Sequence, residues 1–129
     1  MSKKQVFIIG LDEFNRAKLE RLPQAAECAF QSALDIQDIR NVDAYDMPAL
    51  LDKAIQNMQQ GDHGPDAVAS YYDFPGTVMV PILAQHFGLP GPSLAAIFKC
   101  ENKYWSRQEQ HKVIPEHIPQ FRAFDPFDD

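Results

Sequence analysis

The chain has little cysteine: two residues in 129, Cys28 and Cys100, too few for a disulfide framework and without ligand-like spacing. Each falls in a predicted element, so both read as small buried thiols in a reducing, cytoplasmic compartment. Basic residues are also scarce. Twelve Lys and Arg against 18 Asp and Glu leave a formal net charge of −6, whereas a general nucleic-acid binder carries a basic excess; docking on anionic lipid is disfavoured for the same reason. No apolar run approaches the roughly 20 residues that cross a bilayer. The stretch after Lys3 and Lys4 is too short for a signal-peptide core and reads as a buried first strand. Glycine never falls in the G-x-G-x-x-G pattern: Gly10 is followed by Asp12 and Asn15, which argues against a dinucleotide fingerprint. His63, His86, His111 and His117 lack metal spacing, so no metal site is expected, and Ser70, Ser93 and Ser106 sit in no nucleophile elbow.

What is present is ordinary globular material, 45% hydrophobic and 23% charged. Val6–Ile9 is a β-branched and aromatic run ending at Gly10, the pattern of a strand buried on both faces. Asp12 is placed to cap a helix whose apolar side is Phe14, Ala17, Leu19 and Leu22, and Pro23 ends or kinks it. A second strand is read over Cys28–Leu34. Asp43–Asp46 supply turn and capping chemistry, and Pro48 suits the first turn of a helix to about Gln60, burying Leu50, Leu51, Ala54, Ile55 and Met58. Gly61–Pro65 break the chain. A third strand follows over Ala67–Tyr72, then a loop, Asp73–Gly76, and a helix over Thr77–Phe87 closed by Gly88.

Strand and helix alternating three times imply βαβ units: an α/β, Rossmann-like, doubly wound domain with a mostly parallel sheet. Ligands in such sheets bind beyond the carboxyl ends of the strands. Those ends are Gly10-Leu11-Asp12 and Tyr71–Gly76, which makes Gly10, Leu11, Asp73, Phe74 and Gly76 the candidate substrate-side loop residues. Each has a plainer reading. Gly10 permits a tight turn, Asp73 caps the next helix, and Tyr71 and Tyr72 divide between surface and core.

After Gly88 the character changes. Leu89-Pro90-Gly91-Pro92-Ser93 is an extended turn, Ser93 caps a helix over Leu94–Cys100, and Asn102 caps another from Lys103 to about Val113. Phe121–Phe124 reads as a strand that needs neighbours, and Asp125–Asp129 as an acidic tail. The boundary falls between residues 92 and 93. At these residues the chain resembles the N-terminal region of ATP-grasp ligases related to biotin carboxylase and carbamoyl-phosphate synthetase. The likeness is carried by Val6–Gly10, by Asp73–Gly88, and above all by Gly88-Leu89-Pro90-Gly91-Pro92-Ser93 leading into Asn102–Arg107, with Val113-Ile114-Pro115 and Ile118-Pro119 beyond.

The resemblance implies a three-layer preATP-grasp domain over 1–92 and the incomplete opening of an ATP-grasp module over 93–129. It also implies an ATP-dependent carboxylate–amine or carboxylate–thiol ligase acting through an acyl-phosphate. Lys103, with Arg107 one helical turn on, matches the region where a basic residue approaches nucleotide phosphate, and Asn102 stands where the family has Asp. ATP and Mg2+ are implied for the full-length parent, with no tight binding or turnover by this chain alone. The implied partners are the rest of the module and a small-molecule carboxylate; a homodimer stays open. The bland reading of Lys103 and Arg107 is a solvated basic face. The alternative function is a stand-alone flavodoxin-like binding or signalling module, which Asp12, Glu13 and Asp73 imitate in part. In that reading Asp12 stands beyond the strand end rather than at it, and no suitable Lys follows. A third reading is a domain that only buries surface against its parent.

Overall fold

The computed structural model describes residues 2–40, 42–60, 63–125 and 127; Gly61 and Asp62 of the expected break, and Pro126, Asp128 and Asp129 of the expected tail, lie outside them. The apolar run around Val6–Ile9 becomes β1 (Lys4–Leu11), whose last five residues are all buried. The strand continues one residue past Gly10, so Asp12 follows it directly. Asp12 then caps α1 (Glu13–Leu19), accepting the Asn15 N–H at 2.7 Å. The apolar side expected of α1 is not covered: the helix buries no residue, Phe14 is 68% exposed and Leu22 48%. Pro23 opens a short 3₁₀ turn, Pro23–Glu27, where its fixed φ is an advantage.

Two further strands pair with β1 in parallel, β2 (Cys28–Asp35) on one side and β3 (Ala67–Ser70) on the other, giving the order β2-β1-β3. β3 stops two residues short of its expected end. The Ser70 hydroxyl donates to the Tyr72 carbonyl at 2.8 Å and accepts the Tyr72 N–H at 3.0 Å, which turns the chain out of the sheet. A short helix absent from the sequence reading, α2 (Ile36–Ile39), follows β2, and Asp38 there accepts the Asp35 N–H at 3.1 Å. Next come α3 (Met47–Gln59), capped by Asp46, and α4 (Gly76–His86). α4 ends in a reciprocal cap. Gly88 takes φ +65°, its N–H reaches the Gln85 carbonyl at 3.2 Å, and the Leu89 N–H reaches the Ala84 carbonyl at 2.8 Å.

The core joins the sheet to α3 and α4. Phe7 and Ile9 of β1 and Ala33 and Leu34 of β2 meet Ala54 and Met58 of α3, Met79 and Leu83 of α4, and Ile39. Leu50, Leu51 and Ile55 pack against this cluster half-buried, so the stripe expected on α3 is the side it turns inward. Each large side chain buried here contributes roughly 1.5–3 kcal/mol.

By contact the chain divides into residues 1–91 and 92–129. The second unit holds α5 (Leu94–Glu101) and α6 (Lys103–His111), packed beside each other. Ser93 accepts the Ala96 N–H at 3.2 Å and Asn102 the Trp105 N–H at 2.9 Å, so both expected caps are made. Phe121–Phe124 is not a strand: the segment is irregular, and among the described residues it pairs with no strand that would satisfy a ladder. Nor are the cysteines buried. Cys28 is half-buried on the edge strand and Cys100 is exposed on a helix that buries nothing fully. Among the described residues the architecture is mixed α/β, with six α-helices and a small open parallel sheet, and no helix is long and apolar enough to cross a membrane.

Gly76 is where the turn after β3 meets α4. A Cβ there would collide with Ser70 Oγ, which its two bonds to Tyr72 hold in place. Urea denaturation should show Gly76→Ala less stable by about 1–3 kcal/mol, an overpacking cost that outweighs alanine's helix preference. Gly64→Ala, with no atom of the described residues within 4 Å of its Cβ, should stay within about 0.5 kcal/mol of the parent.

Candidate functional site

Parallel pairing puts the carboxyl ends of all three strands on one edge, with Leu11 opposite Asp35 and Ile9 opposite Ser70. Contacts between the loops join them there. The Tyr71 hydroxyl donates to the Gly10 carbonyl, linking the loop after β3 to the end of β1. Phe74 meets Tyr45 edge-to-face at 5.3 Å, and the Tyr45 hydroxyl donates to the Ile39 carbonyl at 3.0 Å, so the connection after β2 is tied in as well. Gly10 takes φ +78°, and a Cβ on it would approach Ile39 Cδ1 to 2.6 Å. The peptide between Phe74 and Pro75 is cis.

The expected substrate-side residues separate by exposure. Asp73 and Phe74 are exposed, whereas Leu11 and Gly76 are buried and form the floor of the edge. Asp73 does not cap α4 with its side chain; Pro75 holds the cap position, and Asp73 contributes its backbone carbonyl to the Thr77 N–H at 3.2 Å. Thr77 Oγ1 is buried with no partner among the described residues. Tyr71 is exposed and Tyr72 packs on the core, as their plainer reading has it.

Asp12 uses both carboxylate oxygens on Asn15, taking its side-chain amide at 3.0 and 3.1 Å besides the backbone N–H. That backbone bond is the main reason its carboxyl is held below the ordinary range; the Asn15 amide, the Tyr71 hydroxyl and the Arg40 charge act in the same direction against partial burial. Partial burial, with the Asp12 charge beside it, pushes the Tyr71 phenol up.

A second concavity lies wholly within residues 92–129. α6 and the irregular segment after it enclose about 450 Å³, lined by Lys103, Arg107, Arg122, Tyr104, Phe121 and Phe124 among others. Tyr104 and Phe121 hold the two walls together through an edge contact at 5.5 Å. Lys103 and Arg107 are four residues apart on a helix, so they share a face. The cations of this unit are sorted. Lys112 and Lys99 both pair with Glu109, at 2.7 and 3.7 Å, and Lys99 also lies 5.9 Å from the centre of the Trp105 ring. The Lys112 ammonium bond is the main cause holding the Glu109 carboxyl below its usual range. Among the described residues, Lys103, Arg107 and Arg122 have no hydrogen bond or ion pair and no carboxylate lines their groove. A groove of this kind attracts anions.

The sequence reading placed Lys103 and Arg107 and missed Arg122, which it assigned to a strand; only the absence of a strand partner in the sequence could have suggested a free segment. Among the described residues no three His, Cys, Asp or Glu side chains gather as a metal site would need. No protein family, curated protein or solved structure matches the chain.

The lowered carboxyl of Asp12 has a direction that can be measured. A group with a depressed folded pKa stabilises above its unfolded value and loses that contribution as pH falls through its folded value. Asp12→Asn keeps one oxygen for the Asn15 N–H and removes the charge together with the second acceptor oxygen. The variant should therefore have a lower urea midpoint than the parent at pH 7, and the two midpoints should converge as pH falls below about 4.

Proposed function

We propose that this chain is the N-terminal region of an ATP-grasp ligase: a Rossmann-like preATP-grasp domain over the first unit and the opening of the nucleotide-binding module over the second. The observation that carries the reading is the placement of Lys103 and Arg107. Both are unpaired among the described residues, and both face one groove whose described lining holds no carboxylate. Asn102 departs from the family's Asp, yet its amide oxygen caps α6 as a carboxylate would. The convergence of three loops at the carboxyl edge supports a substrate side in the first unit.

In such a ligase a carboxylate is phosphorylated by ATP and a nucleophile then displaces phosphate. The work asked of protein groups is positioning and neutralising phosphate charge. Lys103 and Arg107 suit the phosphates. Magnesium does not fit the described residues of this groove, because among them the lining offers no carboxylate; the residues that would hold the ion are assigned to the remainder of the module. The small-molecule carboxylate is assigned to the edge formed by Gly10, Asp73 and Phe74. The stand-alone flavodoxin-like reading gains from Asp12 following β1 directly, but Asp12 is committed to Asn15 on both oxygens.

Calorimetry with a non-hydrolysable ATP analogue, on this chain and on one extended by the coding sequence that follows Asp129, tests the reading. The expected result is magnesium-dependent binding by the longer chain, weakened about tenfold or more by Lys103→Ala, and only weak, magnesium-independent binding by the shorter one. Tight magnesium-dependent binding by this chain alone would contradict the division of the clamp. A longer chain unable to bind ATP would sink the family assignment.

A further inference from the structure

The groove beside α6 has a third cation, from a different segment, that no motif singled out. We infer that Arg122 completes a polyphosphate-binding site that works on this chain alone, without magnesium. The inference deepens the nucleotide reading and rests on it for what the phosphate chain belongs to, but not for its charge. Five Lys and Arg lie in residues 92–129. Lys99 and Lys112 share Glu109 as a partner, and the remaining three, Lys103, Arg107 and Arg122, line the same space of about 450 Å³ with no acidic group among the described residues of its walls.

Like charges gathered without a counter-charge repel one another, and an anion between them relieves that repulsion. Lys103 and Arg107 come from one face of α6, and Arg122 from the irregular segment opposite. Three cations on two walls suit a chain of phosphates better than a single carboxylate, since each guanidinium can hold two oxygens. The contact between Tyr104 and Phe121 fixes the distance between the walls, and Arg122 follows Phe121 directly, so its position is set by that contact.

The probe is inorganic tripolyphosphate, titrated by calorimetry into the full 129-residue chain with a chelator present. Binding should occur without magnesium and fade as salt rises. Arg122→Gln, Arg107→Gln and Lys103→Gln should each weaken it about fivefold, while Arg122→Lys should lose less and Lys18→Gln, in the first unit, should stay within about twofold. Phe121→Ala should weaken binding although it removes no charge, with circular dichroism checking that the helices remain. Unchanged affinity in Arg122→Gln, or no binding by the parent chain, would overturn the proposal. Those failures are distinct from failure of the ligase reading. A longer chain that binds ATP while Arg122→Gln has no effect keeps the ligase and removes Arg122; polyphosphate binding here beside a longer chain that ignores ATP does the reverse.

Discussion

The first unit depends on β1 pairing in parallel on both sides. A parallel partner cannot be reached by a hairpin, so each pairing requires a crossover, and every strand then ends on the same edge of the sheet. That constraint puts Leu11, Asp35 and Ser70 at one rim and leaves three loops to meet there. It also explains the burial of β1. A strand with neighbours on both sides and helices packed on it must be apolar where it is covered, and Phe7 and Ile9 are 1% and 0% exposed. The rim is not held by the core alone. Tyr71 on Gly10, Phe74 on Tyr45 and Tyr45 on Ile39 are local polar and ring contacts, made by side chains that stay partly open to solvent.

The second unit rests on different physics. Neither α5 nor α6 buries a single residue fully, so little of its order comes from an apolar core. Caps at Ser93 and Asn102, the pairing of Glu109 with two lysines, and the Tyr104–Phe121 contact hold it. Interactions of this kind are each worth a fraction of what a buried side chain gives. Trp105, Ile114 and Phe98 remain 37–40% exposed.

Much of this was legible from residue types whose local physics is strong. A β-branched run bounded by glycine gave β1. Asp12, Asp46, Ser93 and Asn102 marked helix starts because an N-terminal turn needs an acceptor. Gly88 marked a helix end because αL backbone favours glycine. The failures share a cause: each depended on a neighbour that the local sequence does not name. α1 has an apolar side on paper, but burial requires something against it, and Phe14 is left 68% exposed. β3 ends early through a serine hydroxyl. α2 is one turn, set by Asp38 reaching back to Asp35, too short to leave a periodic trace. At the candidate site, Lys103 and Arg107 were visible because their spacing fits a helix, whereas Arg122 belongs to no period.

In the segment Phe121–Phe124, backbone conformation decides what the side chains can do. As a strand, its alternate side chains would point to opposite faces, and Arg122 would be one polar residue beside a ladder. As irregular chain it has no ladder to satisfy, so its aromatic residues can be used for anchoring instead. Phe121 does this through Tyr104, and Phe124 lies 84% exposed at the rim of the groove. The same anchoring sets a third positive charge against two that α6 already presents. A helix alone can place cations on one side of an anion; a second wall is what encloses one, and here that wall exists because the segment did not become a strand.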